Sequence, residues 1–337
     1  MLARLIDTSN WGSQEWLAAV LLAFIIVTMG VVLRRLVGIW QLTKTRRKAP
    51  NLRPLRRRSS GNSVAPSDRN KQGRLLLLMS VTLLVSGQSQ GIIIRHDMAP
   101  NLYEARASDH PAVFFLEQQG RRKICVATLI HSRWAITAAH CLEETALGKT
   151  LDRGESFEVR VANESRRIDA AKIHPLYNQQ LATDVDIALL HFEESLSFPR
   201  PISLPDKAVQ VGQLVQLLGW GFTGQGVTGR DYDDGRFRQA HNRLTAVDTR
   251  LRFAFDDPRI IGNTPEALEG MPSLGDSGGP ALISTEFGES LVGIVVGELK
   301  GAEFSEETQG QYGAVAVYEH VLLHTTWIAS VIGSLEE

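Results

Sequence analysis

Gly275-Asp276-Ser277-Gly278-Gly279-Pro280 is the most informative stretch of this 337-residue sequence. A nucleophilic serine needs a tight turn that exposes its hydroxyl and directs backbone N–H groups at the oxyanion that forms during the reaction. Glycines on both sides of the serine allow the positive φ angles of such a turn and the close approach of a substrate carbonyl. The stretch therefore predicts Ser277 as a nucleophile. The competing interpretation is a glycine-rich turn that contains a serine by chance.

A histidine and an aspartate upstream are candidates for the other two groups that such a serine requires. His140 lies in TAAHC, residues 137–141, where small alanines allow close packing behind the imidazole. A neutral imidazole accepts the serine proton and returns it to the leaving amine, although His140 alone could equally be structural. Asp186 leads the apolar run DIALL, where a buried carboxylate needs a partner such as the imidazole N–H, which it orients. The competing acid, Asp184, lies two residues further from that run.

In the order His, Asp, Ser, these motifs resemble the trypsin/chymotrypsin family of serine proteases. The resemblance extends from about Ile92 to Gly333, with further landmarks in IHPLY at 173–177, GWG at 219–221 and WI at 327–328. It implies an all-β fold of two six-stranded antiparallel β-barrels with a C-terminal helix, and hydrolysis of protein or peptide substrates through an acyl-enzyme. It also implies an oxyanion hole formed by the N–H groups of Gly275 and Ser277, and neither a cofactor nor a metal.

The apolar pattern after Ile92 agrees with an antiparallel β protein. Short apolar runs are separated by Gly, Pro and polar clusters, and residues 319–332 have helical spacing instead. The predicted strands are 112–116, 124–130, 134–137, 157–161, 187–192, 214–218, 281–283, 291–296 and 313–318. Residues 223–271, rich in Gly and Asp, are interpreted as a solvated surface loop. A calcium loop is the alternative, but the acids have no EF-hand spacing.

The resemblance places unusual residues in the substrate pocket. Met271 stands at the base, where trypsins have Asp, so we expect cleavage after small or medium apolar residues and not after Lys or Arg. Glu298 and Ala316 align with wall positions that are usually glycine; Ala316 makes the pocket shallower, and Glu298 can bind a basic group at its rim. Val296 replaces a serine that supports the catalytic aspartate in many members, which leaves Asp186 with one hydrogen bond fewer.

Asp276 raises the question of activation. The resemblance places its carboxylate beside the oxyanion hole, where a buried charge without a partner is costly. Family members supply a new N-terminal amine, normally in an Ile-Val-Gly-Gly start, whereas this sequence has IIIRHD at 92–97. Two partners are open: an amine released by cleavage near Ile92, or the guanidinium of Arg95.

The N-terminal part has the pattern of a membrane and export region. Residues 16–33 are uncharged and mostly apolar, and as a helix they would rise about 27 Å, close to the roughly 30 Å of a bilayer core. Residues 34–74 carry 13 Lys/Arg and one acid, which predicts a cytoplasmic linker after a transmembrane helix. Residues 75–91 combine a basic flank, a short apolar core and a small polar tail, as secretory signals do.

Either fate of residues 75–91 places the protease domain, residues 92–337, outside the cytoplasm. Cleavage would secrete it, and retention would leave it anchored in the membrane. A true start near Val64, with residues 1–63 not part of the native protein, is a further alternative. The basic linker is an alternative nucleic-acid patch, but we expect membrane topology, no nucleic acid partner and a monomeric protease domain.

Two cysteines, Cys125 and Cys141, are the complete cysteine content. In an oxidising compartment we expect them to form a disulfide, with two buried thiols as the alternative. A zinc site needs more ligands than these two. The resulting prediction is an exported or membrane-tethered serine endopeptidase. The competing functions are a catalytically weak pseudoprotease that binds through the same fold, and a membrane adaptor that works through its basic loop.

Overall fold

The computed structural model describes residues 92–178, 185–299 and 308–334, which all belong to one compact unit, Leu83–Glu337. The predicted transmembrane helix at 16–33, the basic linker at 34–74, the signal-like segment at 75–91 and the competing acid Asp184 lie outside these residues. Every helix within the described part is too short or too polar to span a membrane.

The described chain consists of short strands followed by one C-terminal helix. The strands are β1 (Ile92–Ile94), β2 (Val113–Gln119), β3 (Arg122–His131), β4 (Trp134–Thr137), β5 (Phe157–Val161), β6 (Glu164–Ile173), β7 (Ala188–Phe192), β8 (Leu214–Gly219), β9 (Thr223–Gln225), β10 (Gly229–Tyr232), β11 (Arg238–Arg243), β12 (Ala246–Val247), β13 (Arg250–Ala254), β14 (Gly270–Met271), β15 (Pro280–Thr285), β16 (Gly288–Glu298) and β17 (Val315–His320). The α-helices are α1 (Cys141–Glu144), α2 (Leu147–Asp152) and α3 (Thr325–Gly333), and 3₁₀ helices cover Pro100–Tyr103 and Val321–His324.

Two barrel-like sheets make up the fold. The first has six strands in the order β2-β3-β4-β7-β6-β5, and the second has seven in the order β11-β8-β15-β16-β17-β13-β12. A third sheet, β10-β9-β1-β14, holds the start of the described chain through a parallel pairing of β1 with β9. The all-β class and the C-terminal helix are confirmed. The second sheet has one strand more than expected because the two-residue β12 pairs with the edge of β13.

Two apolar clusters form the core: the first is centred on the first sheet but also includes residues of β8, β15 and β16, and the second combines residues of the second and third sheets. Trp134, Ile136 and Leu190 are among the fully buried side chains of the first cluster, and Phe253 and Met271 belong to the second. Burial of a large apolar side chain contributes about 1.5–3 kcal/mol. Burial of these side chains therefore provides most of the driving force for the two-sheet architecture.

Strand β6 was not predicted from the sequence. Its residues, ESRRIDAAKI, are largely polar, and only Ile168 among them is buried. The strand pairs with β5 across a two-residue turn in which Ala162 and Asn163 have φ angles of 50° and 68°. Two positive φ values in a two-residue hairpin loop match the twist of the flanking strands, so the turn and its register specify β6 more than its side chains do.

The interpretation of residues 223–271 as a surface loop is wrong. The segment contains β9 to β14, and its acids serve protein contacts: Asp234 forms an ion pair with the fully buried Arg238, and Asp233 accepts the N–H of Gly235. The predicted helix at 319–332 begins later, at Thr325, because Glu319 and His320 continue β17.

Candidate active site

His140 and Asp186 lie close together because the strands beside them pair. Thr137, at the end of β4, is opposite Ala188, at the start of β7. His140 follows β4 by three residues and Asp186 precedes β7 by two, so both residues leave the sheet at the same edge. Asp186 Oδ2 lies 2.6 Å from His140 Nδ1, and Asp186 Oδ1 accepts the backbone N–H of His140 at 3.0 Å. The aspartate therefore fixes both the ring and the main chain of the histidine.

The environment of His140 favours a basic imidazole. Burial lowers its pKa, but the hydrogen bond and charge of Asp186, assisted by Glu144 and Glu143, raise it, and the net pKa is above the usual value. A raised pKa makes the imidazole a stronger proton acceptor. His140 Nε2 remains as the ring nitrogen that is not used by Asp186.

Ser277 lies on a tight turn of the second sheet that docks against the first. Gly275 and Gly278 have φ angles of 99° and 78°, as the glycine pattern predicted. The Ser277 carbonyl accepts the N–H of Val126 at 2.7 Å and lies 3.5 Å from Cys141 Sγ, next to His140 in the chain. The expected disulfide is present and links Cys125 of β3 to Cys141 at the start of α1. The serine and the histidine are thereby held on adjoining segments.

The Ser277 hydroxyl is not hydrogen-bonded to His140 in this structure. Within the described residues, it has no hydrogen-bond partner, and the N–H groups of Gly275 and Ser277 have no acceptor. Catalytic hydrogen bonds in the absence of substrate are often long and tighten in the substrate complex. Two backbone donors without a protein acceptor beside a partly exposed serine match the expected oxyanion hole.

Asp276 is 1% exposed and is held by backbone donors. Gly221 N–H donates to Oδ1 at 2.6 Å and Ser273 N–H donates to Oδ2 at 2.9 Å. A Cβ on Gly219 would lie only 2.0 Å from Oδ1, which explains the glycine there. The pKa of Asp276 is raised to about 7, mainly by burial and in smaller part by the charge of Asp233. The two N–H donors and the charge of Arg238 oppose this rise.

Arg95 is not placed as the partner of Asp276. Its guanidinium forms two hydrogen bonds with the carboxylate of Asp97, at 3.0 and 2.7 Å, and one with the carbonyl of Glu266 at 2.7 Å. Three of its five donors are bound to these acceptors and none is bound to Asp276, so the alternative that assigned Arg95 to Asp276 is corrected. Ile92, by contrast, is 1% exposed in β1, and β1 lies between β9 and β14.

The four expected pocket residues occupy two neighbouring sheets. Met271 and Ala316 are both fully buried, and Ala316 lies opposite Glu298 in the β16–β17 pairing. Glu298 is half-buried, its Oε2 accepts the Gly310 N–H at 3.1 Å, and burial raises its pKa. Val296 is half-buried and has no side-chain donor.

Glu319 was missed by the sequence analysis. Its Oε1 accepts the backbone N–H of Asp186 at 2.7 Å, and its side chain is almost completely buried. The signal was an acid inside the apolar stretch VAVYEHV, residues 315–321. Like Asp186, Glu319 is a buried carboxylate and therefore needs a partner.

Comparison with known proteins agrees with this geometry. The family model described as Trypsin matches residues 100–328. The chain belongs to the trypsin family. Human granzyme M (Homo sapiens) is 29% identical over 228 residues, which cover 61% of this chain and 79% of that protein. Vitamin K-dependent protein C of Oryctolagus cuniculus is also 29% identical, over 68% of this chain and 51% of that protein.

A third relative has nearly the same length as the protease part. The thrombin-like enzyme BjussuSP-1 of Bothrops jararacussu is 27% identical over 67% of this chain and 92% of its own length. This trypsin-family chain is thus a serine-type endopeptidase. The aligned part of the chain spans only about half the length of protein C.

Proposed function

We propose that this trypsin-family protein cleaves peptide bonds through Ser277, His140 and Asp186 by way of an acyl-enzyme. The observation that carries the proposal is the 2.6 Å contact between Asp186 Oδ2 and His140 Nδ1, combined with the docking of the Ser277 turn beside Cys141. This arrangement holds the imidazole in the orientation that a general base for serine requires.

The steps follow from the positions of these groups. Ser277 Oγ attacks the substrate carbonyl carbon while His140 Nε2 takes its proton, and Asp186 stabilises the imidazolium. The N–H groups of Gly275 and Ser277 hydrogen-bond to the oxyanion. His140 then protonates the leaving amine, the C–N bond breaks, and a water activated by His140 hydrolyses the ester to release the carboxylic acid.

The expected preference for small or medium apolar side chains is part of the proposal. Met271 supplies no charge at the pocket base, and the methyl group of Ala316 narrows the space relative to glycine. Glu298 is the acid nearest to these positions in the β16–β17 pairing, and its Oε2 is bonded to Gly310 N–H. We therefore place any contact with a basic substrate group at the rim.

We also propose that cleavage before Ile92 supplies the cation for Asp276. Ile92 has a φ of 55°, a left-handed conformation that is strained for a β-branched residue. Its φ is no longer constrained by a preceding peptide once the bond before it is cut. The carbonyl of Ile92 accepts the hydroxyl of Thr223 at 2.7 Å, which anchors the residue from its other side. An ammonium group at Ile92 would stabilise the buried carboxylate of Asp276.

The proposed location is the extracytoplasmic side, either as a secreted protein or as a membrane-anchored one through residues 16–33, with a monomeric protease domain. The disulfide between Cys125 and Cys141 supports an oxidising compartment. Sequencing the N-terminus of active protein decides both processing and anchoring. Active protein that retains residues 75–91 would exclude the Ile92 amine.

Labelling with a fluorophosphonate tests the catalytic proposal against the pseudoprotease alternative. We expect labelling and peptide hydrolysis in the wild type, and the loss of labelling and of most hydrolysis in Ser277→Ala. Residual turnover of about 10³ to 10⁴ over water is expected from binding and the oxyanion hole. A folded wild type that neither labels nor hydrolyses peptides would support the pseudoprotease.

A further inference from the structure

A buried carboxylate connects the second sheet to the backbone of the catalytic aspartate. Glu319, on β17, accepts the N–H of Asp186 at 2.7 Å and is 1% exposed. Asp186 belongs to the first sheet, two residues before β7. The hydrogen bond therefore crosses between the two sheets at the point where the active site is assembled.

The charge of Glu319 is balanced by a neighbouring cation. Arg250 lies opposite Glu319 in the β13–β17 pairing, and its Nη2 is 2.8 Å from Oε1. His324 Nε2 is 3.7 Å from Oε2, and His174 packs edge-on against the ring of His324. A carboxylate removed from water persists when it is paired and hydrogen-bonded. Arg250 provides the opposite charge, and the Asp186 N–H provides the hydrogen bond.

The other hydrogen bonds of Asp186 leave a specific role for this contact. Both carboxylate oxygens of Asp186 are used by His140, one by the ring and one by the backbone N–H. Val296 has no side-chain donor with which to support the aspartate. The Asp186 N–H is thus the group that ties the aspartate to the second sheet.

We propose that Glu319 is a positioning residue for the catalytic triad, with Arg250 as its countercharge. By fixing the main chain of Asp186, Glu319 fixes the carboxylate that orients His140. The inference rests on the proposed function of Asp186 and His140. A displacement of about 1 Å in a catalytic group costs up to about 100-fold in rate, so a single hydrogen bond at this position has a large effect on kcat.

Two substitutions separate the role of Glu319 as a hydrogen-bond acceptor from the role of its negative charge. Glu319→Ala removes both, and we expect kcat to fall by about 10- to 100-fold with KM within about twofold. The acid limb of kcat/KM should move to lower pH because Asp186 raises the pKa of His140. Glu319→Gln keeps an oxygen acceptor for the Asp186 N–H, and we expect its kcat and its acid limb to stay close to wild type.

Fluorophosphonate titration measures the concentration of active enzyme. Partial misfolding lowers this concentration but leaves the pH profile unchanged, so it is distinguished from a loss of positioning. If Glu319→Ala does not fold, Arg250→Met replaces it; we expect a lower kcat in this variant and recovery in Arg250→Met/Glu319→Gln, where no charge is left unpaired. Unchanged kcat in Arg250→Met would overturn the pairing.

Asp186→Asn distinguishes failure of the inference from failure of the triad. Wild-type kcat and acid limb in Glu319→Ala, together with a large loss in Asp186→Asn, would overturn the positioning role alone. Full activity in Asp186→Asn would overturn the proposed triad and, with it, the role of Glu319.

Discussion

Gly278 packs against Thr137 so closely that no side chain fits between them. A Cβ on Gly278 would lie 2.3 Å from Thr137 Oγ1 and equally close to the carbonyl oxygen of Val126. Gly278 belongs to the serine turn of the second sheet, and Thr137 ends the strand that leads to His140. The contact docks the turn that carries Ser277 against the strand that leads to His140, and it has a direct experimental consequence.

Gly278→Ala should abolish peptide hydrolysis, with a loss of at least about 10²-fold in kcat/KM, because the turn must shift by more than 1 Å to relieve the clash. The matched control is Gly120→Ala. Gly120 has a φ of 63°, similar to the 78° of Gly278, but nothing lies within 4 Å of its Cβ position. This control should lose about 1–2 kcal/mol of stability from the left-handed backbone and keep its kcat. Equal losses of activity in both variants would contradict the docking argument.

The rate of hydrolysis should fall in acid with an apparent pKa above 6.5. His140 acts as a base only when neutral, and although burial lowers its pKa, the hydrogen bond and charge of Asp186 raise the pKa above its usual value. The activity is therefore present at high pH and lost as the pH falls through the raised pKa. The kcat/KM profile of wild type measures it, and Asp186→Asn should shift the acid limb downwards. An acid limb below pH 6 in the wild type would be inconsistent with this environment.

Asp276→Asn should inactivate the enzyme and flatten the pH dependence of its stability. The pKa of Asp276 is raised from 3.8 to about 7 in the folded, uncleaved protein. Between about pH 4 and 7 the folded state holds a proton that the unfolded state has lost, so stability falls by up to about 4 kcal/mol as the pH rises. Glu269, also raised to about 7, adds a slope of the same sign and keeps it in the variant.

Denaturant unfolding of the uncleaved protein between pH 4 and 8 measures this effect. The exposed Asp206 provides a control, because Asp206→Asn should leave the slope unchanged. A slope as steep in Asp276→Asn as in wild type would argue against a protonated Asp276.

Peptide-library profiling should show a preference for small or medium apolar residues before the cleaved bond. Met271→Asp places a carboxylate at the pocket base, and we expect it to raise kcat/KM for Arg and Lys peptides by at least about 10-fold relative to apolar ones, through a charge-assisted contact. Ala316→Gly should extend the wild-type preference to larger apolar side chains. A wild-type profile dominated by Arg or Lys would refute the role given to Met271.

Removing the disulfide should destabilise the protein by about 3 kcal/mol in the chain-entropy model. Cys125→Ser/Cys141→Ser tests this by denaturant unfolding. Because Cys141 adjoins His140, we also expect a lower kcat. Equal unfolding midpoints for the wild type with and without reductant would show that the bridge adds no stability.

The sequence predicted those parts of the site that depend on local motifs. The serine turn, the histidine stretch and the aspartate before an apolar strand each need their residues at fixed local spacing. The structure places His140 against Asp186 and docks the serine turn beside Cys141. Glu319 escaped notice because its partner, Asp186, is 133 residues away in sequence and becomes adjacent only when the sheets dock. Arg95 was a plausible partner for Asp276 by charge alone, but Asp97, two residues away, takes its guanidinium.

The same division applies to the fold. Strands with a clear local pattern, such as the apolar β4 and the alternating β5, were predicted with correct bounds. The polar β6 depends on a turn of two left-handed residues, and the short strands β9, β13 and β14 pair with strands far away in sequence. Their conformation is determined by pairing and close backbone packing, for example where Gly270 would place a Cβ 2.9 Å from the carbonyl oxygen of Ile93. Such contacts cannot be deduced from local periodicity.

The three proposed catalytic groups are divided between two sheets, and this division affects when the site is assembled during synthesis of the chain. His140 and Asp186 are synthesised first, and the turn that carries Ser277 takes its conformation only against Thr137 and Val126 of the completed first sheet. A chain that is still emerging therefore lacks both the docked serine turn and Glu319, whose carboxylate accepts the N–H of Asp186. Hydrolytic capacity is expected to arise late, as a property of the finished assembly.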